Sequence, residues 1–217
     1  TAEPDMTDYF ARHRPTLDQA LDACARRHSW TAYPESPSSK IHGEEKPRAG
    51  RARFEALLGT DYPLSQPGEI GRTGAEVSPY TGEPLGISYP RMDADTLYQG
   101  IAAAMPAWRR ASPQTRTGIC LEILDRCAGQ LFENAHATMH TSGQSYIMAF
   151  AGSGANALDR GLEALAYAHK AMADVPASAS WERQFGKGGA ARLEKHYHLV
   201  PRGVGVVESV ANPLEGL

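Results

Sequence analysis

From Asp93 to Ala173 apolar side chains return every three or four residues, and a chain patterned in this way has to bury helical stripes against something. Asp93 caps the first segment, whose stripe is Leu97, Ile101, Ala104 and Trp108, with Pro106 close to its end. Ser112-Pro113 opens the second, which carries Cys120, Leu124, Cys127 and Leu131 along one face. The third runs from about Ala155 to Ala173 through Leu158, Leu162, Leu165, Tyr167-Ala168 and Met172, and His136 to Phe150 between them is also expected to be helical. The tail changes character. Leu193, Tyr197 and Leu199 lead to Val204, Val206 and Val207, bounded by Pro201-Arg202-Gly203, which predicts a strand. Mostly helical chains that turn to strand at the end need strand partners, and few precede this one.

Upstream, Pro15-Thr16 followed by Gln19 predicts a capped helix start, with Leu17, Leu21, Cys24 and His28 at helical spacing until Ser29-Trp30. Pro34 to Gly50 reads as loop, and a short helix around Phe54, Leu57 and Leu58 ends at Gly59. Gly59 to Gly74 reads as an exposed connector, and Glu76 to Tyr89 as short strands about the turn Pro79-Tyr80-Thr81-Gly82. Ala177 to Ala190, rich in Gly, Ser and Ala, reads as loop.

Composition narrows the function classes. The 217 residues allow one large or two small domains, and 41% hydrophobic content argues against a disordered chain. With 22 Lys+Arg against 25 Asp+Glu, no basic surplus supports sequence-independent nucleic-acid binding. A mean hydropathy of −0.43 and the lack of a long apolar run give no membrane span. Cys24, Cys120 and Cys127 are too few for a disulfide framework, and Thr1 to Thr16 has no signal-peptide core, so a reducing cytoplasm is expected.

The chemical motifs are sparse. Gly152-Ser153-Gly154-Ala155-Asn156-Ala157 matches a dinucleotide fingerprint, but Asp174 lies at the end of the following helix rather than at a second strand, so a Gly-rich break between helices is the plainer reading. Gly68 to Gly74 lacks the Lys-Ser/Thr pair of a phosphate loop. His136 and His140 share a helical face, yet position 137 is Ala and no ligand set is completed nearby; packed histidines and no metal are expected. His196 and His198 alternate about Tyr197 on one strand face, and Cys120 and Cys127 sit on an apolar stripe without an activating base.

Several blocks together resemble the aldehyde dehydrogenase superfamily. Ser78-Pro79-Tyr80-Thr81-Gly82-Glu83-Pro84-Leu85-Gly86 is similar to its N-terminal hairpin. Ala102 to Arg109, then Arg116 and Leu121-Glu122-Ile123-Leu124, are similar to its first two helices. Thr141-Ser142-Gly143-Gln144 resembles a turn of that family, and Pro201-Arg202-Gly203-Val204-Gly205-Val206-Val207 the strand that enters its cofactor-binding fold. Within the superfamily, His140 to Ser145, Met148 to Phe150, Asp159 to Ala164 and Val200 to Val204 resemble the PaaN branch of phenylacetic acid degradation.

The resemblance implies an α/β fold: the mostly helical N-terminal part of a Rossmann-type dehydrogenase, with a short hairpin and a terminal strand. Residues 1–74 would form a helical arm and connector, and 75–217 a partial cofactor-binding and oligomerisation region. Family members attack an aldehyde or semialdehyde with a cysteine thiolate, hold the oxyanion with an Asn amide and pass hydride to NAD or NADP. Asn212 falls at the oxyanion position and Ser209, Val210 and Ala211 along the nicotinamide side, although Val210-Ala211-Asn212-Pro213 lacks the family's aromatic. The three cysteines match no catalytic position, and the family's Cys and Glu belong to its later half, so this chain alone is expected to be inactive in a homo-oligomeric enzyme. The alternatives are a non-catalytic oligomerisation or interaction domain, and a stand-alone nucleotide-binding module around Gly152 and Gly154.

Overall fold

A computed structural model of the chain describes residues 6–205. The elements are α1 (Met6–Arg26), α2 (Ser39–His42), α3 (Glu45–Leu57), β1 (Glu69–Thr73), β2 (Tyr89–Met92), α4 (Ala94–Arg110), α5 (Pro113–Gly129), α6 (Leu131–Ser142), α7 (Tyr146–Phe150), a π-helical segment (Ala151–Asn156), α8 (Ala157–Ala173), β3 (Ser178–Gln184) and β4 (Ala190–His196). The class is mixed α/β with helices predominant.

The main core is made where α1, α5 and α8 pack together and where α6 and α7 close one end. Leu17, Leu121, Leu124, Phe132, Phe150, Leu158 and Leu162 are its buried side chains, with Ala20, Ala135 and Ala166 at the close approaches. A smaller cluster joins Phe54 of α3 to Leu85 and Ile87. Two capping residues behave as the sequence indicates: Asp93 accepts from the Thr96 N–H at 2.9 Å, and Ser112 from the Thr115 N–H at 3.0 Å. Gly143 ends α6 in the left-handed conformation, φ 75°, which a side chain would strain. No helix among the described residues is long and apolar enough to cross a membrane.

Several sequence expectations are corrected. Helix α1 does not start at Thr16; it runs through Pro15. Proline removes one ladder bond, but packing extends the stripe upstream to Phe10, and Arg12 and Arg14 pair with Asp8 and Asp18 one turn away. Helix α3 occupies part of the expected Pro34–Gly50 loop, because Gly50 lets its backbone press on α6: a Cβ there would lie 2.3 Å from the Phe132 Cβ. The connector contains β1, which pairs antiparallel with β2, so the hairpin's ladder flanks the Pro79–Gly82 turn instead of adjoining it. Only the isolated bridge Val77↔Pro84 lies close to that turn.

The expected loop 177–190 is largely a second hairpin, with Trp181 opposite Leu193 and Ala179 opposite Lys195. Its strands are exposed on both faces, so no in-out alternation marks them, and Gly186 (φ 55°) and Gly189 (φ 144°) supply the turn. Strand β4 ends at His196, which places His198 outside it, and residues 197–205 form no strand. Val206 and Val207 lie outside the described residues. Among the described residues the strands form only these two antiparallel pairs. Helix α4 buries no residue: Leu97 and Trp108 are half-covered, while Ile101 and Ala104 of the expected core stripe are exposed.

Candidate functional site

Ser209, Val210, Ala211 and Asn212 lie outside the described residues, but the chain leading toward them is described. The Arg116 Nη2 donates to the Leu199 carbonyl at 2.8 Å, and the His198 ring Nε2 meets the Arg109 carbonyl. The corner between α4 and α5 thus holds the His198 ring and the Leu199 carbonyl. Beside it is a cavity of about 290 Å³ whose walls include Trp108, Cys120, Leu165 and Met172. Thr117, on the same helix as Arg116, pairs its hydroxyl with the His169 Nδ1 at 3.1 Å.

The other motifs resolve into packing. Gly152 and Gly154 lie in the π segment between α7 and α8, with a helix and not a strand before them. A Cβ on Gly154 would come within 2.8 Å of the Leu131 side chain, and on Gly152 within 2.9 Å of the Met148 sulfur, so these glycines serve close approach. His136 and His140 stack on Phe54 with ring centroids 6.1 and 5.1 Å away, and the Ser78 hydroxyl lies 2.7 Å from the His140 Nδ1. They join α6 to α3 and to the turn at Pro79. Cys24, Cys120 and Cys127 are free thiols, and burial pushes the Cys120 thiol upward, away from nucleophilic form.

Two polar clusters went unread in the sequence. Glu122 on α5 accepts from Arg12 (3.1 Å) and Arg126 (2.9 Å) and lies 2.8 Å from the His13 Nε2, which together hold its carboxyl below the usual range, the His13 bond most of all. The ligand atoms of His13, Glu122 and Asp125 lie within 4.8 Å of one another, but two guanidiniums already occupy the Glu122 oxygens, so the cluster acts as a charged clamp between α1 and α5. Asp159 on α8 accepts from the Ala32 N–H at 3.1 Å and from the Thr31 hydroxyl; burial raises its carboxyl above the ordinary value against those hydrogen bonds. The i,i+4 pair Glu122–Arg126 is visible in the sequence, whereas the partners on α1 and at Thr31 are not.

The histidines give a pH prediction. Burial, and next Arg51, lowers the pKa of His136; burial, and next Arg14, lowers that of His169; both fall below the ordinary 6.5. Between the lowered values and 6.5 the unfolded chain binds more protons, so stability is full above pH 6.5 and is lost as pH falls below it. The urea midpoint should therefore be lower at pH 5.0 than at pH 7.5, and His136→Gln should reduce the difference. An unchanged midpoint would contradict neutral burial of these rings.

No protein-family model matches the sequence, and no curated protein does. Solved structures do. The NAD-dependent aldehyde dehydrogenase from Burkholderia multivorans is similar with a TM-score of 0.84 and 42% identity, over 89% of this chain and 35% of that one. The Δ-pyrroline-5-carboxylate dehydrogenase from Mycobacterium tuberculosis is similar with a TM-score of 0.53 and 20% identity, over 71% of this chain and 30% of that one. The same enzyme bound with NAD and cobalamin gives 0.52 and 19%. At such identity the second pair shows the fold alone. This chain spans about a third of the length of these proteins, 35% and 30%. Its described elements have the fold of part of an aldehyde dehydrogenase, and the sequence identity within that fold supports membership of the aldehyde dehydrogenase superfamily.

Proposed function

We propose that this chain is the N-terminal portion of an NAD(P)-dependent aldehyde or semialdehyde dehydrogenase of the PaaN type, working in aromatic-acid breakdown in a reducing cytoplasm. The observation that carries the reading is 42% identity across 89% of the chain to an NAD-dependent aldehyde dehydrogenase. In it, residues 1–74 form the helical arm and 75–217 the partial cofactor-binding and oligomerisation region. Ser209, Val210 and Ala211 border the nicotinamide, and the Asn212 amide donates to the thiohemiacetal oxyanion. NAD or NADP would accept the hydride when bound. The hold of Arg116 on Leu199 supports a fixed path into that segment.

The chain by itself is inert in this reading. Its thiols lie on α1 and α5, and burial pushes the Cys120 thiol upward, away from nucleophilic form. Purified chain mixed with NAD or NADP and a panel of aliphatic and aromatic aldehydes should yield no NAD(P)H; steady production would overturn the inertness. The reading frame beyond Leu217 should encode a Cys- and Glu-bearing continuation; a stop codon there would count against the dehydrogenase reading.

A second reading, an assembly domain, has its own observation. Both two-stranded sheets keep open edges, and β3–β4 exposes Trp181 and Leu193 on one face. Sedimentation that shows a monomer at every concentration would exclude it.

A further inference from the structure

Arg116 is the deepest cationic side chain outside the networks described above, at 7% exposure. Its Nη2 binds the Leu199 carbonyl, but its Nε is buried and has no partner among the described residues. No carboxylate among the described residues forms an ion pair with it, whereas the buried carboxylates Glu122 and Asp159 are paired or hydrogen-bonded; the other buried side-chain atom without a partner, the Glu76 Oε2, is an acceptor. Removing a guanidinium from water without an anion costs several kcal/mol, and leaving a donor orphaned adds to that. Arg116 also lines a cavity of about 290 Å³ whose other walls are mainly apolar: Trp108, Leu165, Met172, Leu199 and Val200. None of the lining side chains is acidic. A single unsatisfied cation in an otherwise apolar cavity selects one ligand chemistry, an anion with a short hydrocarbon body.

We propose that this cavity binds a small amphipathic carboxylate. The carboxylate accepts from the Arg116 guanidinium, a planar fork suited to two parallel hydrogen bonds, and the hydrocarbon lies against Trp108, Leu165 and Met172. Binding stabilises the α5–α8 seam and the Leu199 segment together, since Arg116 touches both ligand and backbone. The inference stands on the cavity and its cation, and does not depend on the dehydrogenase reading.

The test uses the whole chain and hexanoate as probe, with hexanamide as its uncharged counterpart. Calorimetric titration should give saturable hexanoate binding with a Kd below about 1 mM, and hexanamide should bind at least tenfold more weakly. Trp108 fluorescence should change with the same isotherm, and Trp108→Phe should remove that signal. Arg116→Met should abolish hexanoate binding while keeping or raising the melting temperature, because it replaces an unpaired buried charge by an apolar side chain of similar length. Should that variant fail to fold, Arg116→Lys keeps the charge, loses the fork, and should weaken binding about tenfold. Absent saturation, equal affinity for hexanoate and hexanamide, or unaltered binding by a folded Arg116→Met would each overturn the proposal.

Discussion

Phe150→Ala is expected to lower the stability of the chain by about 3–5 kcal/mol, a large part of the total for a domain of this size. Phe150 has 0% exposure and sits where α7 meets α6, its ring centroid 4.7 Å from that of Phe132 and tilted 44° to it. His42 of the short helix α2 reaches the same ring edge-on at 5.6 Å. Truncation therefore opens a cavity whose aromatic walls belong to α6 and α2, and such walls do not collapse together. The comparison variant is Phe185→Ala at the tip of the β3–β4 hairpin. That ring is 53% exposed, with the Arg183 guanidinium over its face, so its loss should cost less than about 1 kcal/mol. Urea unfolding of both variants decides the matter: losses of similar size would mean that the core is not centred on α6 and α7.

Gly118→Ala and Gly100→Ala should act in opposite directions although both glycines lie inside helices. On α5, a Cβ at Gly118 would stand 2.6 Å from the Phe10 backbone nitrogen, where nothing can yield without moving α1. Overpacking of this kind costs about 1–3 kcal/mol, and here it would also disturb the Glu122 clamp, which spans the same two helices. On α4, Gly100 has open space around it, so alanine adds helix propensity alone and should stabilise by about 0.5–1 kcal/mol. Thermal denaturation of the pair tests whether α1 and α5 are in backbone contact; a neutral or stabilising Gly118→Ala would show that they are not.

Much of the helical part can be read from local pattern, because the stripes through Leu124, Leu158 and Leu162 and the caps at Asp93 and Ser112 are short-range signals. Pro15 misleads, since a start signal and a tolerated interior proline look alike until Phe10 is seen to pack on α5. The β3–β4 hairpin is illegible for a different reason: Ser178–Gln184 alternates without burying either face, so hydrophobic periodicity carries no information there. Periodicity also cannot say what covers a stripe, as α4 shows. The superfamily resemblance needed several blocks taken together, and a structure 42% identical supports it. The polar sites were hidden by distance along the chain: Arg116 meets Leu199 across 83 residues and Asp159 meets Ala32 across 127.

Helix α4 is fastened at its two ends and at neither is it enclosed. Asp93 donates its N–H to the Gly68 carbonyl at one end, and the Arg109 carbonyl meets His198 at the other. Between them the helix covers no core, so its amides should trade hydrogen for deuterium through local openings, while those of α5 and α8 wait for the whole domain to open. The same polypeptide would then present two clocks, and the quicker one would run in the segment that separates the β1–β2 pair from the helical body.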